Sequence, residues 1–443
     1  MDKIKNFLKK FGMLTYGNSM LPLFFINDKV FIKERSFSKI KINDIVLFTN
    51  FGKLIGHRVV YKSNKYIITK GDNALLSDGK IFPNQILGVI YKIKRNGRFF
   101  NPNTFYLIQS THYFNEIVKI KKSFDKEKIN YVFLKGLPLH LYYEGKHPKR
   151  IYADCDVLID KNDFEKAEKI LFGFGYKKAD TSLSKIQKKL IDKEVENAFW
   201  KVIDGFSVVF DLHLEVVFMM TQLGSLDALY PQKFIDKLTE EFLKTKRKVK
   251  ILNENFLILN TKYLILYLVL HLFHHNFKGA FRYEFLNQVI KKTGNKEKIF
   301  QEIVEIVERY KLNNFIYPVF YLLKKYYQTP MPKSFLKQIS IKNSLTRKLA
   351  DKIIKKINIF DDDPRIQAGI NRFLNLFFFS PNPFWKRIFV FFNPQVITAF
   401  MWSMYTKIRF SKDIISLAGK FKPKVKKDVL KSRKELEKNY VRF

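Results

Sequence analysis

Two aspartates, Asp154 and Asp156, stand one residue apart at the start of an apolar stretch that ends at Ile159. Alternate side chains of a β-strand point to the same face, so the two carboxylates are expected about 7 Å apart on one face, with Cys155 on the other. The apolar residues that follow predict a core strand. Two charges at the end of such a strand are costly unless a cation neutralises them. The pair therefore predicts a divalent metal site.

A third acidic candidate, Asp211, lies in a second strand-like stretch, residues 206–216. An adjacent strand would deliver this carboxylate to the same site. Three carboxylates on neighbouring strands suit two-metal phosphoryl or nucleotidyl transfer. Glu215 belongs to the same stretch and remains an alternative ligand in place of Asp211, because strand alternation also places it on that face.

Cations are expected near such a site because the charge of nucleotide phosphates must be offset. The nucleotide-binding candidates are Lys135 with the adjoining Gly136, and the later cations Lys278 and Arg282. A role as solvated surface charges is equally open for these three side chains. With the acidic residues, they predict Mg²⁺ at a two-metal site and a nucleoside triphosphate as the substrate.

These residues resemble the signature of an uncharacterised nucleotidyltransferase-like family in the DNA polymerase β superfamily. The matching motifs are Leu134-Lys135-Gly136, Arg150, Asp154 with Asp156, Asp211-Leu212-His213, and His271 with His275 and Arg282. The resemblance covers residues 128–325 and implies an α/β nucleotidyltransferase-like domain. A zinc site at the histidines is not favoured, because no Glu stands where a zinc-protease motif requires one. They are expected to face the cleft or the core.

A second group of motifs lies near the N-terminus. In order, they are Gly-Asn-Ser-Met-Leu-Pro at 17–22, Asn-Asp at 27–28 and 43–44, His-Arg-Val-Val at 57–60, Lys-Gly-Asp-Asn at 70–73 and Ser-Asp at 77–78. In this order and spacing they resemble the signal-peptidase and self-cleaving-repressor clan of serine peptidases, over residues 12–95. The resemblance implies that Ser19 is the nucleophile, His57 the base and Asp78 the orienting carboxylate.

The chemistry of these side chains agrees with the implied roles. A serine hydroxyl is a weak nucleophile until a neighbouring base takes its proton, and histidine titrates near neutral pH. A carboxylate on the other ring nitrogen sets the tautomer. Asp72 competes with Asp78 for that role, but Gly71-Asp72-Asn73 is typical of a turn in which Asp caps backbone amides. This favours Asp78.

The length of 443 residues predicts two or three domains. The formal net charge of +40 would ordinarily indicate nucleic acid or an anionic membrane surface as a partner. Lysine is nevertheless spread through the whole chain together with Ile, Asn, Phe and Tyr, which indicates a compositional bias. A nucleic-acid partner is thus possible but not favoured, and the expected partner is a peptide or macromolecular acceptor of unknown identity.

The single cysteine, Cys155, excludes an intramolecular disulfide and fits a reducing compartment. No stretch has the form of a signal peptide or of a spanning helix. These features predict a cytoplasmic location. Residues 377–402 are apolar and aromatic but interrupted by prolines and basic residues, so they could lie on a membrane surface but are not expected to cross a membrane. The oligomeric state is not indicated.

The predicted fold class is α+β with several domains. The expected divisions are an all-β signal-peptidase-like domain at 1–100, a linker helix at 101–128, an α/β nucleotidyltransferase-like domain with a helical extension at 129–325, and a helical region with a basic tail at 326–443. The predicted function is nucleotide transfer in one domain and peptide-bond hydrolysis in another. The alternative is a non-catalytic protein that binds a peptide or nucleotide for a pathway of peptide maturation or macromolecule modification.

Overall fold

The computed structural model describes residues 12–21, 23–145, 149–150, 152, 154–179, 195–203, 206–363, 365–401 and 404–405. They belong to two compact units. The first lies within Met1–Tyr113, His147–Tyr152 and Asn358–Asp362, and the second within Phe114–Lys146, Ala153–Ile357 and Asp363–Phe443. The predicted basic tail at 420–443 lies outside the described residues, and the predicted division into four segments stays a prediction.

The first unit is an antiparallel sheet. Its strands are β1 (Met13–Leu14), β2 (Lys29–Lys33), β3 (Ile45–Asn50), β4 (Lys53–Lys62), β5 (Ile67–Lys70), β6 (Lys80–Ile81), β7 (Ile86–Arg95) and β8 (Arg98–Phe100). The order is β1-β2-β7-β3-β4-β5-β6, with β8 paired to β7. Strand β3 is buried on both faces: Leu47 packs in one apolar cluster and Phe48 in another. Its unbroken apolar sequence reflects this double burial.

The second unit contains a mixed sheet. Its strands are β9 (Tyr131–Phe133), β10 (Cys155–Ile159), β11 (Lys177–Lys178), β12 (Glu196–Ile203), β13 (Phe206–His213), β14 (Arg247–Ile251) and β15 (Glu254–Ile258). The order is β11-β12-β13-β10-β9-β15-β14. Strands β10 and β13 are parallel, as are β9 and β15. The parallel alignment of β10 with β13 brings the two predicted acidic strands side by side.

Helices make up most of the remaining structure. They are α1 (Pro102–Lys126), α2 (Leu137–Glu144), α3 (Phe164–Gly173), α4 (Gln232–Lys244), α5 (Thr261–His274), α6 (Ala280–Lys292), α7 (Lys296–Arg309), α8 (Asn313–Tyr327), α9 (Phe335–Gln338), α10 (Ser344–Lys356), α11 (Arg365–Phe379) and α12 (Phe384–Ile388). Among the described residues, no helix combines the length and apolar character that crossing a membrane requires. The antiparallel N-terminal sheet, central α/β region and helical C-terminal part confirm the predicted α+β multidomain class.

Candidate active sites

Asp154, Asp156 and Asp211 converge on the neighbouring interior strands β10 and β13 of the second sheet. One carboxylate oxygen of each lies within 4.8 Å of an oxygen of the other two. Strand register explains this: Asp156 is the direct partner of Asp211 across the parallel pair β10 and β13, and Asp154 immediately precedes β10. Cys155 points away and is fully buried. The geometry is that of a site for divalent cations, which prefer carboxylate oxygens.

The turn between β9 and α2 packs directly against this acidic cluster. Gly136 has φ +102°, and a Cβ there would lie 3.4 Å from Asp154 O and from Cys155 Cα. A side chain would thus meet both a backbone penalty and close contacts. The preceding residue, Lys135, has its Nζ 2.8 Å from an Asp156 oxygen and 3.2 Å from one of Asp154. Gly136 therefore lets the turn approach closely enough for Lys135 to pair with both acids.

Asp156 is the best-compensated acid of the cluster. It is almost fully buried, and its second oxygen accepts a 2.9 Å hydrogen bond from His213 Nε2. Burial opposes its ionisation, but the charges of Lys135 and His213 and their hydrogen bonds outweigh that effect, so the pKa of Asp156 is lowered. Asp156 is consequently held as a carboxylate in a fixed orientation.

Asp211 lies in the opposite electrostatic situation. Burial, followed by the charges of Glu196, Asp156 and Asp154, raises the pKa of Asp211 well above its ordinary value. Like charges brought together in a buried place cannot all ionise without a counter-charge. The site thus contains more acidic groups than its own cations compensate, which is the condition under which a divalent ion binds favourably.

Glu215, the alternative third ligand, has other partners. It is buried, accepts from Thr221 Oγ1 and lies 3.1 Å from Gln232 Nε2. The structure therefore brings Asp211, and not Glu215, together with the Asp154 and Asp156 pair.

The first unit brings Ser19, His57 and Asp78 into hydrogen-bond contact. Ser19 Oγ lies 2.7 Å from His57 Nε2, and His57 Nδ1 lies 2.7 Å from Asp78 Oδ2. A carboxylate only accepts, so Nδ1 carries the proton and Nε2 is left to accept from the Ser19 hydroxyl. This is the orientation in which a histidine acts as a base toward a serine.

Neighbouring side chains distinguish the two candidate aspartates of this unit. The buried Thr69 donates to Asp78 Oδ2 at 2.8 Å, the oxygen that also contacts His57. Asp72 instead forms a two-point ion pair with Arg58, at 2.6 and 2.5 Å, and accepts from Tyr106 OH at 3.1 Å. The Asp72 carboxylate is thus bound by Arg58 and Tyr106 rather than by the backbone amides of its turn, while Asp78 contacts the histidine.

Gly71 controls the contact between the turn and the serine. A Cβ at this position would lie 2.5 Å from Ser19 O, 2.9 Å from Ser19 Cβ and 3.1 Å from His57 Nε2. The following Asn73 donates its backbone N–H to Ser19 O at 2.7 Å. Glycine is consequently required for the turn to hold Ser19 against His57.

Comparison with known proteins identifies the family of the chain. A family model described as an uncharacterised nucleotidyltransferase matches residues 105–328, just over half of the chain. The chain belongs to this nucleotidyltransferase family. The match confirms the predicted nucleotidyltransferase-like domain and begins closer to the N-terminus than the expected residue 128. It does not extend to Ser19, His57 or Asp78, so the peptidase resemblance stays a prediction.

Comparisons of the chain with solved structures and with curated proteins add no functional information. Among solved structures, it is similar to the antibiotic-resistance factor ANT(2'')-Ia in solution, with 13% identity and a TM-score of 0.30. That similarity covers 46% of this chain and 95% of the other. No curated protein matches the chain.

The remaining predicted nucleotide-binding residues of the nucleotidyltransferase domain differ in their placement. Lys278 forms an ion pair with Asp363, so it already has an acidic partner. Burial is the main cause that lowers the pKa of His271 and of His275, and the positive charge of Arg282 lowers both further. Arg282 also opposes the raised pKa of Lys135. The charge of Arg282 thus acts on Lys135, the cation of the acidic cluster, whereas Lys278 is paired with Asp363.

His271 is buried in helix α5, and His275 is half-buried at the C-cap of this helix. His271 and His275 have their Nε2 atoms 3.1 Å apart. Burial lowers the pKa of both, and of His274, well below the ordinary value. They are neutral residues packed in the domain, in keeping with the predicted core or cleft position.

Sequence reasoning did not predict the roles of His213 and Glu196. His213 lies two residues after Asp211 on β13, so strand alternation could have placed it on the acidic face. Glu196 lies on β12, where it is the register partner of His213. No motif marks Glu196, because its position depends on which strand pairs with β13.

Proposed function

We propose that the nucleotidyltransferase domain transfers a nucleotidyl group from a nucleoside triphosphate to an acceptor, with Mg²⁺ held by Asp154, Asp156 and Asp211. The observation that carries this proposal is the convergence of three carboxylates, one of which has a strongly raised pKa. A cation would relieve the repulsion that raises it. The donor set, oxygen atoms alone, fits Mg²⁺.

The side chains have separate roles in the proposed reaction, in which an acceptor oxygen attacks the α-phosphorus and pyrophosphate leaves. Bound divalent ions would offset the charge of the phosphates and favour the attacking oxygen. Asp156 is orientated by His213 and Lys135. Lys135, released in part from its acidic partners, offers a cation to the phosphates. Asp211 would hold the ion together with the other two carboxylates. Arg282 is a further candidate for phosphate contact, and Lys278 is a weaker one.

Thermal unfolding with Mg²⁺ and each nucleoside triphosphate tests the proposal without knowledge of the acceptor. A ligand that binds only the folded form at about 100 times its Kd stabilises it by about 2.7 kcal/mol. We expect a shift with at least one triphosphate that is absent from the Asp154→Asn/Asp156→Asn protein. The exposed pair Glu165→Gln/Glu240→Gln removes the same charge and should keep the shift. A shift that survives the aspartate substitutions would refute the assignment.

A second candidate function, peptide-bond hydrolysis, is favoured by one specific observation. Two 2.7 Å contacts that share His57 link Ser19 to Asp78. In the proposed reaction, Ser19 Oγ attacks the carbonyl carbon while His57 Nε2 takes its proton, and His57 then returns a proton to the leaving amine. Water hydrolyses the resulting ester and regenerates Ser19. Asp78, supported by Thr69, stabilises the histidine cation.

Peptide-library cleavage followed by mass spectrometry tests this second function. The wild-type protein should cleave at defined sequences, and Ser19→Ala should abolish those products. Ser38→Ala, an exposed serine of the same unit, should cleave like the wild type. Equal cleavage by Ser19→Ala excludes Ser19 as the nucleophile. Binding of peptide or nucleotide without turnover, insensitive to both sets of substitutions, would favour the non-catalytic binding role instead.

A further inference from the structure

The C-terminal part of the described chain exposes an unusual number of large apolar side chains. Among the described residues between 384 and 405, ten of them are 36–73% exposed, and we refer to them as the C-terminal apolar surface. They are Phe384, Trp385, Ile388, Phe389, Phe391, Phe392, Ile397, Met401, Met404 and Tyr405. Single exposed apolar residues are normal on proteins, but a dense group within 22 residues of sequence indicates a binding surface.

The spacing of these residues places them on shared helix faces. Trp385, Ile388, Phe389 and Phe392 follow the i, i+3, i+4, i+7 pattern through α12 and the 3₁₀ turn after it. Ile397, Met401 and Met404 follow the same pattern in the helical residues 394–401 and beyond. The apolar residues therefore make outward faces rather than scattered positions.

The opposite side of the segment is firmly attached to the second unit. The buried Arg387 donates to the carbonyls of Phe377, Phe378 and Asn382 at 3.1, 3.0 and 2.7 Å. Val390 and Val396 are buried beneath the outward faces.

Two asparagines add further attachments. Asn382 donates to the carbonyls of Asp227 and Ala228, and Asn393 to those of Leu223 and Ser225. Polar contacts thus fix the segment while its apolar side chains face outward, the reverse of an ordinary surface helix. The outward orientation is a property of the fold and not of a loose end.

We propose that the C-terminal apolar surface binds the interface of an anionic lipid bilayer. Tryptophan, tyrosine and other aromatic side chains partition well into the headgroup region, and helices with apolar outward faces bury them about 5–10 Å deep. Residues 406–443, which follow directly, carry thirteen Lys and Arg against four Asp and Glu. Basic segments beside an inserted apolar surface add attraction to anionic headgroups.

Charge favours this occupant over a second copy of the chain. The formal net charge of the protein is +40, so two copies repel each other whereas an anionic bilayer attracts each one. Exposed Lys386 lies within the apolar surface itself, where it can reach headgroups. The surface thus combines burial of apolar area with the charge that selects an anionic lipid layer.

Vesicle co-sedimentation of the full-length protein tests the proposal. Vesicles of phosphatidylcholine alone are compared with vesicles that contain phosphatidylglycerol, for the wild type and for Trp385→Ser/Phe389→Ser. We expect binding to the anionic vesicles and a loss of about tenfold or more in the variant, because two aromatic side chains leave the interface. The matched control Phe172→Ser/Trp200→Ser removes two exposed aromatics elsewhere in the second unit and should bind like the wild type.

Melting temperatures of all variants establish that each is folded. Absence of wild-type binding, equal binding to neutral vesicles, or equal binding by the Trp385→Ser/Phe389→Ser protein each overturns the proposal. Sedimentation equilibrium provides an independent readout in the absence of lipid. A dimer that disappears in the Trp385→Ser/Phe389→Ser protein would identify a second copy as the occupant and would also overturn it.

Discussion

Ser19, His57 and Asp78 satisfy one another's hydrogen-bonding groups, whereas Asp154, Asp156 and Asp211 crowd three acidic groups beside Lys135. The serine site contains a neutral hydroxyl, an imidazole and one carboxylate, so protein atoms alone can complete it. In the acidic site, burial and like charges raise the pKa of Asp211. The comparison shows that the serine site has its hydrogen-bonding groups satisfied by protein atoms, whereas the acidic site has uncompensated negative charge that a bound cation would offset.

The strongest test of this difference is to inactivate each site separately and to measure both activities. Ser19→Ala should lower peptide hydrolysis by about 10⁴-fold or more, since the nucleophile is lost, and leave nucleotide-dependent stabilisation intact. Asp154→Asn/Asp156→Asn should do the reverse. Chelation of divalent metal with EDTA should imitate the aspartate substitutions and leave hydrolysis unchanged. Loss of hydrolysis on chelation would contradict the view that the serine site needs no cation.

Gly71→Ala tests how accurately the serine site is positioned. The added Cβ would displace Ser19 from His57, and a misplacement of about 1 Å costs about 100-fold in rate. We expect kcat to fall by that order, with the nucleotidyltransferase activity unaffected. Gly173→Ala, where a Cβ meets no atom within 4 Å, is the matched control. A fully active Gly71→Ala protein would show that the turn does not fix the serine.

Thr69→Val should produce a smaller effect on the same site. It removes one hydrogen bond to Asp78 and keeps the side-chain shape, so a reduction of about tenfold in kcat is expected, corresponding to about 1.4 kcal/mol. Thr69→Ser should restore most of the rate because it retains the hydroxyl. If Thr69→Val and Thr69→Ser are equally impaired, packing rather than the hydrogen bond is responsible.

The smallest expected effect is on thermal stability: in the absence of metal, removal of the Asp211 charge should stabilise the folded protein. The pKa of Asp211 is raised in the folded protein by burial first, and then by the charges of Glu196, Asp156 and Asp154. A group with a raised folded pKa contributes stability that is fully present below its unfolded pKa, about 3.9, and is lost as the pH rises through the folded value. Metal-free wild-type protein should therefore lose melting temperature as the pH rises above about 4.

Asp211→Asn lacks this titration. In EDTA near neutral pH, it should melt at a higher temperature than the wild type, and added Mg²⁺ should stabilise the wild type but not the variant. Glu165→Gln, an exposed acid of α3, should change neither property. A lower melting temperature for Asp211→Asn in EDTA would show that the carboxylate stabilises the metal-free fold.

Local patterns predicted the acidic strands well because strand alternation is a local property. Asp154 and Asp156 stand around the buried Cys155 as expected, and the parallel pairing of β10 with β13 places Asp211 beside Asp156. The confirmed fold class follows from the same signals, short apolar runs in the first unit and helical periodicity after residue 227.

Features that depend on contacts between segments far apart in sequence could not be predicted from these patterns. The choice between Asp211 and Glu215 depends on the register of β13, and the ion pair of Lys278 depends on Asp363, which is 85 residues away in sequence. The position of Glu196 next to His213 depends on the order of the strands in the sheet. The propensities of single segments do not encode such partners, because the tertiary fold decides which segments meet.

Residues 358–362 belong to the first unit although they follow more than 200 residues of the second in sequence. Asp361 accepts from the backbone N–H of Ser77 at 2.8 Å, and Asp362 donates its own backbone N–H to Leu75 O at 2.9 Å. Both contacts secure the loop that presents Asp78. During synthesis, this loop gains its last partners only after the ribosome has passed the whole nucleotidyltransferase region. A fragment cut after residue 113 would therefore lack both of these contacts.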